Sequence, residues 1–151
     1  MSMLRSKQQG FTLIEILVAV LVLSVGVLGL VGMESLSLQN NQEAYHRSQA
    51  TLLAYELADR MRANPDIEYN VSIPSTDPGG CVFYSGTPTA CTSSALRQKD
   101  LYDWNQKISS LLPLGVGNTP VLSGGVYSIS ISWDNDKDGS LDKAFSFMFE
   151  R

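Results

Sequence analysis

From Ile16 to Met33 the chain carries no charged residue. A helix needs roughly 20 mainly apolar residues, at 1.5 Å each, to cross the hydrocarbon of a bilayer. A helix on the surface of a globular protein shows an apolar stripe instead of being apolar all round. The run is therefore read as a membrane-spanning helix, and what flanks it sets its orientation. Arg5 and Lys7 precede it, and Glu34 and a polar stretch follow. A secretory signal closes its apolar core with a small-residue cleavage site. None closes this one, so the segment is expected to be retained. Basic residues favour the cytoplasmic side, which puts everything after Met33 on the far side.

Within the sequence Met1-Ser-Met-Leu-Arg-Ser-Lys-Gln-Gln-Gly10-Phe11-Thr-Leu-Ile-Glu15, the acid at position 15 interrupts the apolar pattern. A carboxylate in the membrane costs roughly 2.5–3.5 kcal/mol on insertion scales and usually has a partner or a function. A plainer reading is a first-turn acid complementing the helix dipole. Gly26, Gly29 and Gly32 recur at every third position. They suit close helix packing or local unwinding, and glycine is also simply common in membrane helices.

Gly10 to Glu15 resembles the leader junction of type IV prepilins and of type II secretion pseudopilins. The resemblance implies that a prepilin peptidase cuts between Gly10 and Phe11 and that Phe11 is then N-methylated. It also implies that Glu15 acts in assembly. Physically, Glu15 can pair with the amino terminus of a neighbouring subunit's Phe11, because opposite charges attract strongly in low dielectric and a mispaired one is costly. Removing residues 1–10 takes away two bases and no acid. The formal charge moves from -4 to about -6, with no basic signature for nucleic acid.

From Glu34 to Asn64 there is neither glycine nor proline, and Ala50, Leu53, Ala54, Leu57, Ala58 and Met61 recur at three- and four-residue steps. That spacing is one apolar helical face. Asn64-Pro65 ends it, since the residue before proline is pushed out of the helical region. One helix from near Phe11 to about Ala63 follows, roughly 80 Å long at 1.5 Å per residue. Arg47 to Asn64, RSQATLLAYELADRMRAN, resembles the PilV-type minor pilins. Without that resemblance Asp59, Arg60 and Arg62 read as a solvated face with weak ion pairs. His46, the single histidine, reads as an exposed residue with no ligand role.

Pro65 to Pro88 reads as loop with one or two short strands, at Glu68–Ile73 and Val82–Ser85. Cys81 and Cys91, an even pair in a domain beyond a membrane, suggest a disulfide, with two free thiols as the alternative. Ser94 to Leu112 reads as a short helix capped by Ser94, with Leu101, Trp104, Ile108 and Leu111 or Leu112 on one face. Tyr127, Ile129, Ile131 and Trp133 alternate with serines, and Phe145, Phe147 and Phe149 alternate with Ser146, Met148 and Glu150. This period of two predicts an antiparallel hairpin whose apolar face packs on the Ala/Leu face of the long helix. The hairpin link places Asp134, Asp136, Asp138 and Asp142 at positions 1, 3, 5 and 9 with Gly139 at 6. This resembles the first part of a calcium-binding EF-hand loop, without the glutamate at position 12. The same residues also make a soluble acidic turn.

The expected fold is α+β, a pilin fold: a long N-terminal helix packed on a small antiparallel sheet domain. Residues 1–10 are the leader, 11–33 the transmembrane and filament-core helix, 34–64 its amphipathic half, and 65–151 the globular domain. The resemblance implies a non-catalytic minor pilin that primes type IV pilus assembly at the tip, with a role in adhesion and twitching motility. Its partners would be other minor and major pilins, the prepilin peptidase and a large tip adhesin. It would lie in the inner membrane, with the C-terminal domain periplasmic, before passing to the extracellular pilus. A minor pseudopilin of a type II secretion system shares the leader, the acid and the helix. A plain single-pass anchor is a third class. No nucleophile–base pair, phosphate loop or His/carboxylate cluster marks an enzyme, and calcium is the one cofactor the spacing suggests.

Overall fold

A computed structural model describes residues 10–79, 81 and 91–150. The basic residues before Gly10 and the strand expected at Val82–Ser85 lie outside them. The chain divides into two compact units, Met1–Asn41 and Gln42–Arg151.

Helix α1 spans Leu13–Ala63. Its start is fixed by Thr12, whose carbonyl accepts from the N–H groups of Glu15 and Ile16 at 3.1 and 3.3 Å. It ends where Asn64 precedes Pro65. In the first unit its large apolar residues all face outward. In the second unit Ala50, Leu53, Ala54, Leu57, Ala58 and Met61 are buried, the face that the three- and four-residue spacing picks out.

Helix α2, Ser93–Leu111, buries Leu101, Trp104 and Ile108. Its N-cap is Thr92, not Ser94: Thr92 has extended backbone, and its side chain accepts from the Ala95 N–H. A hydroxyl one residue before the first helical turn reaches that donor, whereas Ser94 already lies in the turn. Leu112 is buried and Leu111 is exposed, which settles which of the two completes the face.

The sheet has four antiparallel strands: β1, Val116–Gly117; β2, Val121–Ser123; β3, Val126–Trp133; and β4, Lys143–Glu150. β3 is central. β4 pairs along its whole length, from Val126 opposite Glu150 to Trp133 opposite Lys143. β1 and β2 pair with different stretches of β3, at Ile131–Ser132 and at Val126–Ser128. Tyr127, Ile129, Ile131 and Trp133 are buried as the alternation predicts. Together with Phe149 they form one core with the Ala/Leu face of α1 and the buried face of α2. This long helix on a small antiparallel sheet domain is the pilin fold.

The strand expected at Glu68–Ile73 is absent; the segment is irregular. Its alternation nevertheless has a cause. Tyr69 is buried, and Ile67, Val71 and Ile73 pack against the core, so every second side chain points inward. The backbone finds no ladder: the Tyr69 N–H donates to the Tyr127 hydroxyl at 3.2 Å.

β1 approaches α2 closely enough to exclude a side chain. A Cβ on Gly117 would clash with the edge of the Trp104 ring, so glycine is required there by space.

Candidate functional site

Three places in the chain carry candidate chemistry. The first is the N-terminal end of α1. Phe11 is 78% exposed, and Glu15 lies in the first helical turn. Phe11, Glu15, Ile16, Ala19, Val20 and Leu23 line one shallow, almost wholly apolar groove. Phe11 precedes the first residue of α1, Leu13, yet lines the same groove as Glu15. A carboxylate surrounded by exposed apolar side chains is a charge without a local partner among the described residues. α1 also contains a segment long and apolar enough to cross a membrane, with none of that window buried in the protein.

The second is the turn between β3 and β4. Asp134 is buried and closes the turn with both oxygens: Oδ1 accepts from the Lys137 N–H at 2.7 Å and Oδ2 from the Gly139 N–H at 2.9 Å. Gly139 has φ 92° and Lys137 φ 64°. The left-handed region is open to glycine at no steric cost, which is why the bend falls on Gly139. Asp136 Oδ1 accepts from the Asp138 N–H. Asp138 accepts from both the hydroxyl and the N–H of Ser140, which together hold its carboxyl below the usual carboxylate range.

Oxygens of Asp134, Asp136 and Asp138 lie within 4.8 Å of one another, so the three can close on one divalent ion such as calcium. Asp142, expected as a fourth ligand, does not join them. Its Oδ1 accepts from the Asn135 N–H at 2.7 Å and serves the turn instead. The remaining ligands of a six- to eight-coordinate calcium would be water and backbone carbonyls.

Two contacts tie this turn to α1. His46 Nδ1 lies 3.3 Å from Asn135 Oδ1, and Lys143 Nζ lies 3.3 Å from Glu43 Oε1. His46 is therefore half-buried against the loop and not freely exposed as the sequence suggested. No pattern in the sequence announces a partner 89 residues away.

The third is a polar network under the end of α1. Arg60 pairs with Asp100 of α2 at 3.1 Å and with Glu56 on its own helix. Lys107 also reaches Glu56. The second oxygen of Asp100 accepts from the Tyr69 hydroxyl at 2.8 Å. Asn64 Nδ2 donates to that hydroxyl and to the Ser93 carbonyl. Burial raises the Tyr69 phenol well above its usual value, and its bond to Asp100 acts in the same direction. Burial alone would raise Glu56, but its bonds to Lys107 and Arg60 outweigh it and hold the carboxyl low.

Thus Arg60 and Asn64 of the DRMRAN stretch join α1 to α2 and to the loop between them. Asp59 and Arg62 remain an exposed local pair, and Arg62 also sits 4.8 Å over the Phe149 ring. Sequence reasoning missed the role of Arg60. A half-buried arginine on a core-flanking position is favoured by a carboxylate partner, but nothing local indicates that it comes from Asp100.

Cys81 and Cys91 form a disulfide with Cα atoms 5.5 Å apart. Cys91 directly precedes the Thr92 cap, so the bond holds Cys81 beside the first turn of α2.

A family model described as the prokaryotic N-terminal methylation motif matches residues 5–31. That motif is consistent with the type IV pilin and pseudopilin superfamily, and it covers both the Gly10–Phe11 junction and Glu15. Neither the curated proteins nor the solved structures give a match to this chain. The matched segment and the disulfide-stabilised sheet domain behind it support a pilin- or pseudopilin-like subunit.

Proposed function

We propose that the chain is a minor pilin of a type IV pilus, of PilV type, cut after Gly10 and N-methylated at Phe11. It enters the filament with Glu15 paired to the amino terminus of a neighbouring subunit. The observation that carries this reading is continuity. The methylation motif at residues 5–31 runs without a break into a helix whose second half forms the core of a sheet domain. In this role the subunit primes assembly at the tip with other minor pilins, the major pilin and a large adhesin. It is held in the inner membrane before assembly, with its domain in the periplasm. The Asp134, Asp136 and Asp138 turn takes calcium as its preferred ion, because hard carboxylate oxygens in a flexible loop suit that ion.

Intact-mass analysis of the chain from cells tests the first step. A mature form beginning at methylated Phe11 is expected, and an uncut chain would rule out a pilin. Deleting the gene and scoring surface pili against exoprotein secretion separates the two machines. Lost pili support the pilus role; lost secretion with normal pili would mean a minor pseudopilin. Glu15→Ala is expected to leave cleavage and membrane insertion intact while impairing incorporation.

A further inference from the structure

The loop that follows α1 contains Glu68-Tyr69-Asn70-Val71-Ser72. Asn-X-Ser with a non-proline middle residue is the acceptor sequence of asparagine-linked glycosylation, which needs a surface loop in a compartment beyond the membrane. Three residues of this kind recur by chance. Their setting here supplies the remaining requirements.

Asn70 lies in irregular backbone and is exposed, as are Glu68 and Ser72. The chain bends at Val71, between the acceptor and the hydroxyl residue. On either side the loop is pinned: Tyr69 is 1% exposed, and Val71 packs on the core. Asn70 is therefore held outward between two anchors. Its carboxamide makes no hydrogen bond among the described residues, while neighbouring loop groups are engaged, the Glu68 carbonyl with Arg97 and the Tyr69 N–H with Tyr127. No strand ladder occupies the segment, so a transferase can grip its backbone. Glu68 places a carboxylate two residues before the acceptor, a charged anchor for that enzyme. The disulfide in the same domain suits an oxidising compartment.

We propose that Asn70 is an N-glycosylation acceptor, modified by an oligosaccharyl transferase that draws on a polyprenyl-diphosphate-linked oligosaccharide. The Asn70 Nδ2 forms a bond to the anomeric carbon. The bond from that carbon to the diphosphate oxygen breaks, and its electron pair leaves with the lipid diphosphate. The nitrogen gives up one proton to the transferase's base and keeps the other; nothing is oxidised or reduced. The inference rests on the reading that this domain crosses the membrane.

The test uses the full chain, produced in bacterial cells with an oligosaccharyl transferase, a lipid-linked oligosaccharide of known mass and a periplasmic protein already known to be modified. Peptide mass spectrometry is expected to find one oligosaccharide on the peptide containing Asn70. N70Q and S72A should each lower occupancy more than tenfold, while S72T, which keeps the hydroxyl, retains it. E68Q should lower it at least fivefold, and unchanged occupancy would overturn the part given to Glu68. An unmodified chain beside a modified control, with Cys81 and Cys91 oxidised, overturns the proposal alone. Free Cys81 and Cys91 thiols beside an unmodified chain place the domain in the cytoplasm and overturn the topology together with the proposal.

Discussion

The two halves of α1 meet the same physical demand in opposite ways. In the first unit, Leu13, Leu21 and Leu28 are 83%, 60% and 72% exposed; in the second, Leu53 and Leu57 are 3% and 0% exposed. Leucine surface left in water costs roughly 1.5–3 kcal/mol per side chain relative to burial. The second half recovers that within its own chain, against Trp104, Tyr127, Ile129 and Ile131. The first half has no such cover among the described residues, and on the proposed reading lipid or other subunits supply it. Apolarity in one helix thus serves folding at one end and, on the proposed reading, association at the other. The change from apolar all round to one apolar face marks where the task changes.

The largest effect that can break this comparison is a cavity in the second half. Leu57→Ala should destabilise the domain by about 2–5 kcal/mol, measured by denaturant unfolding of the full chain in detergent micelles. Leu21→Ala should leave that transition unmoved; equal losses would abolish the distinction between the halves. Next comes the covalent restraint. Replacing Cys81 and Cys91 by serine opens a loop of about ten residues and should cost roughly 2–3 kcal/mol, read as a lower midpoint in the same unfolding experiment.

The hairpin turn sharpens the comparison from within the domain. For a dissociation constant of about 1 mM, 10 mM calcium should add about 1.4 kcal/mol of stability. The melting temperature should rise accordingly, and Asp136→Asn should diminish the rise. No change with calcium would leave Asp134, Asp136 and Asp138 as a turn alone. The smallest effect is the pH response of Glu56. Its folded carboxyl is held below the unfolded value, so its contribution is full above the unfolded value, near pH 4–4.5, and is lost as pH falls through the folded one. Glu56→Gln should flatten the stability profile in that acid range and leave it parallel to wild type at neutral pH.

Much of this fold was legible because its strongest elements are periodic and long. The Ala50–Met61 spacing, the serine-interrupted run from Tyr127 to Trp133 and the Asn64-Pro65 stop each announce an element through local chemistry. β1 and β2 do not. With two and three residues they have no period of their own, and their positions follow from Gly117 fitting beneath Trp104 and from the pairing with β3. Ile67, Tyr69, Val71 and Ile73 show the converse: a true alternation of burial without a strand, since inward side chains alone supply no hydrogen-bonding neighbour. At the sites, Glu15 is legible as an acid interrupting an apolar run, and Phe11 only through the resemblance of Gly10–Glu15 to a prepilin junction. The place of Asp142 is not legible, because position 9 of the loop is claimed by the Asn135 N–H. The His46–Asn135 and Arg60–Asp100 contacts are non-local, and single-sequence patterns carry no record of them.

One edge of β3 is met by two short strands rather than one long one, with the buried Pro120 immediately before β2. Proline has no backbone N–H to offer a ladder. A foreign strand approaching from that side would meet two- and three-residue stretches of free backbone, broken by a residue that cannot donate. Sheets recruit stray chains through long continuous edges, and this arrangement denies one. The domain thereby gains on that flank a resistance to unwanted polymerisation through its sheet.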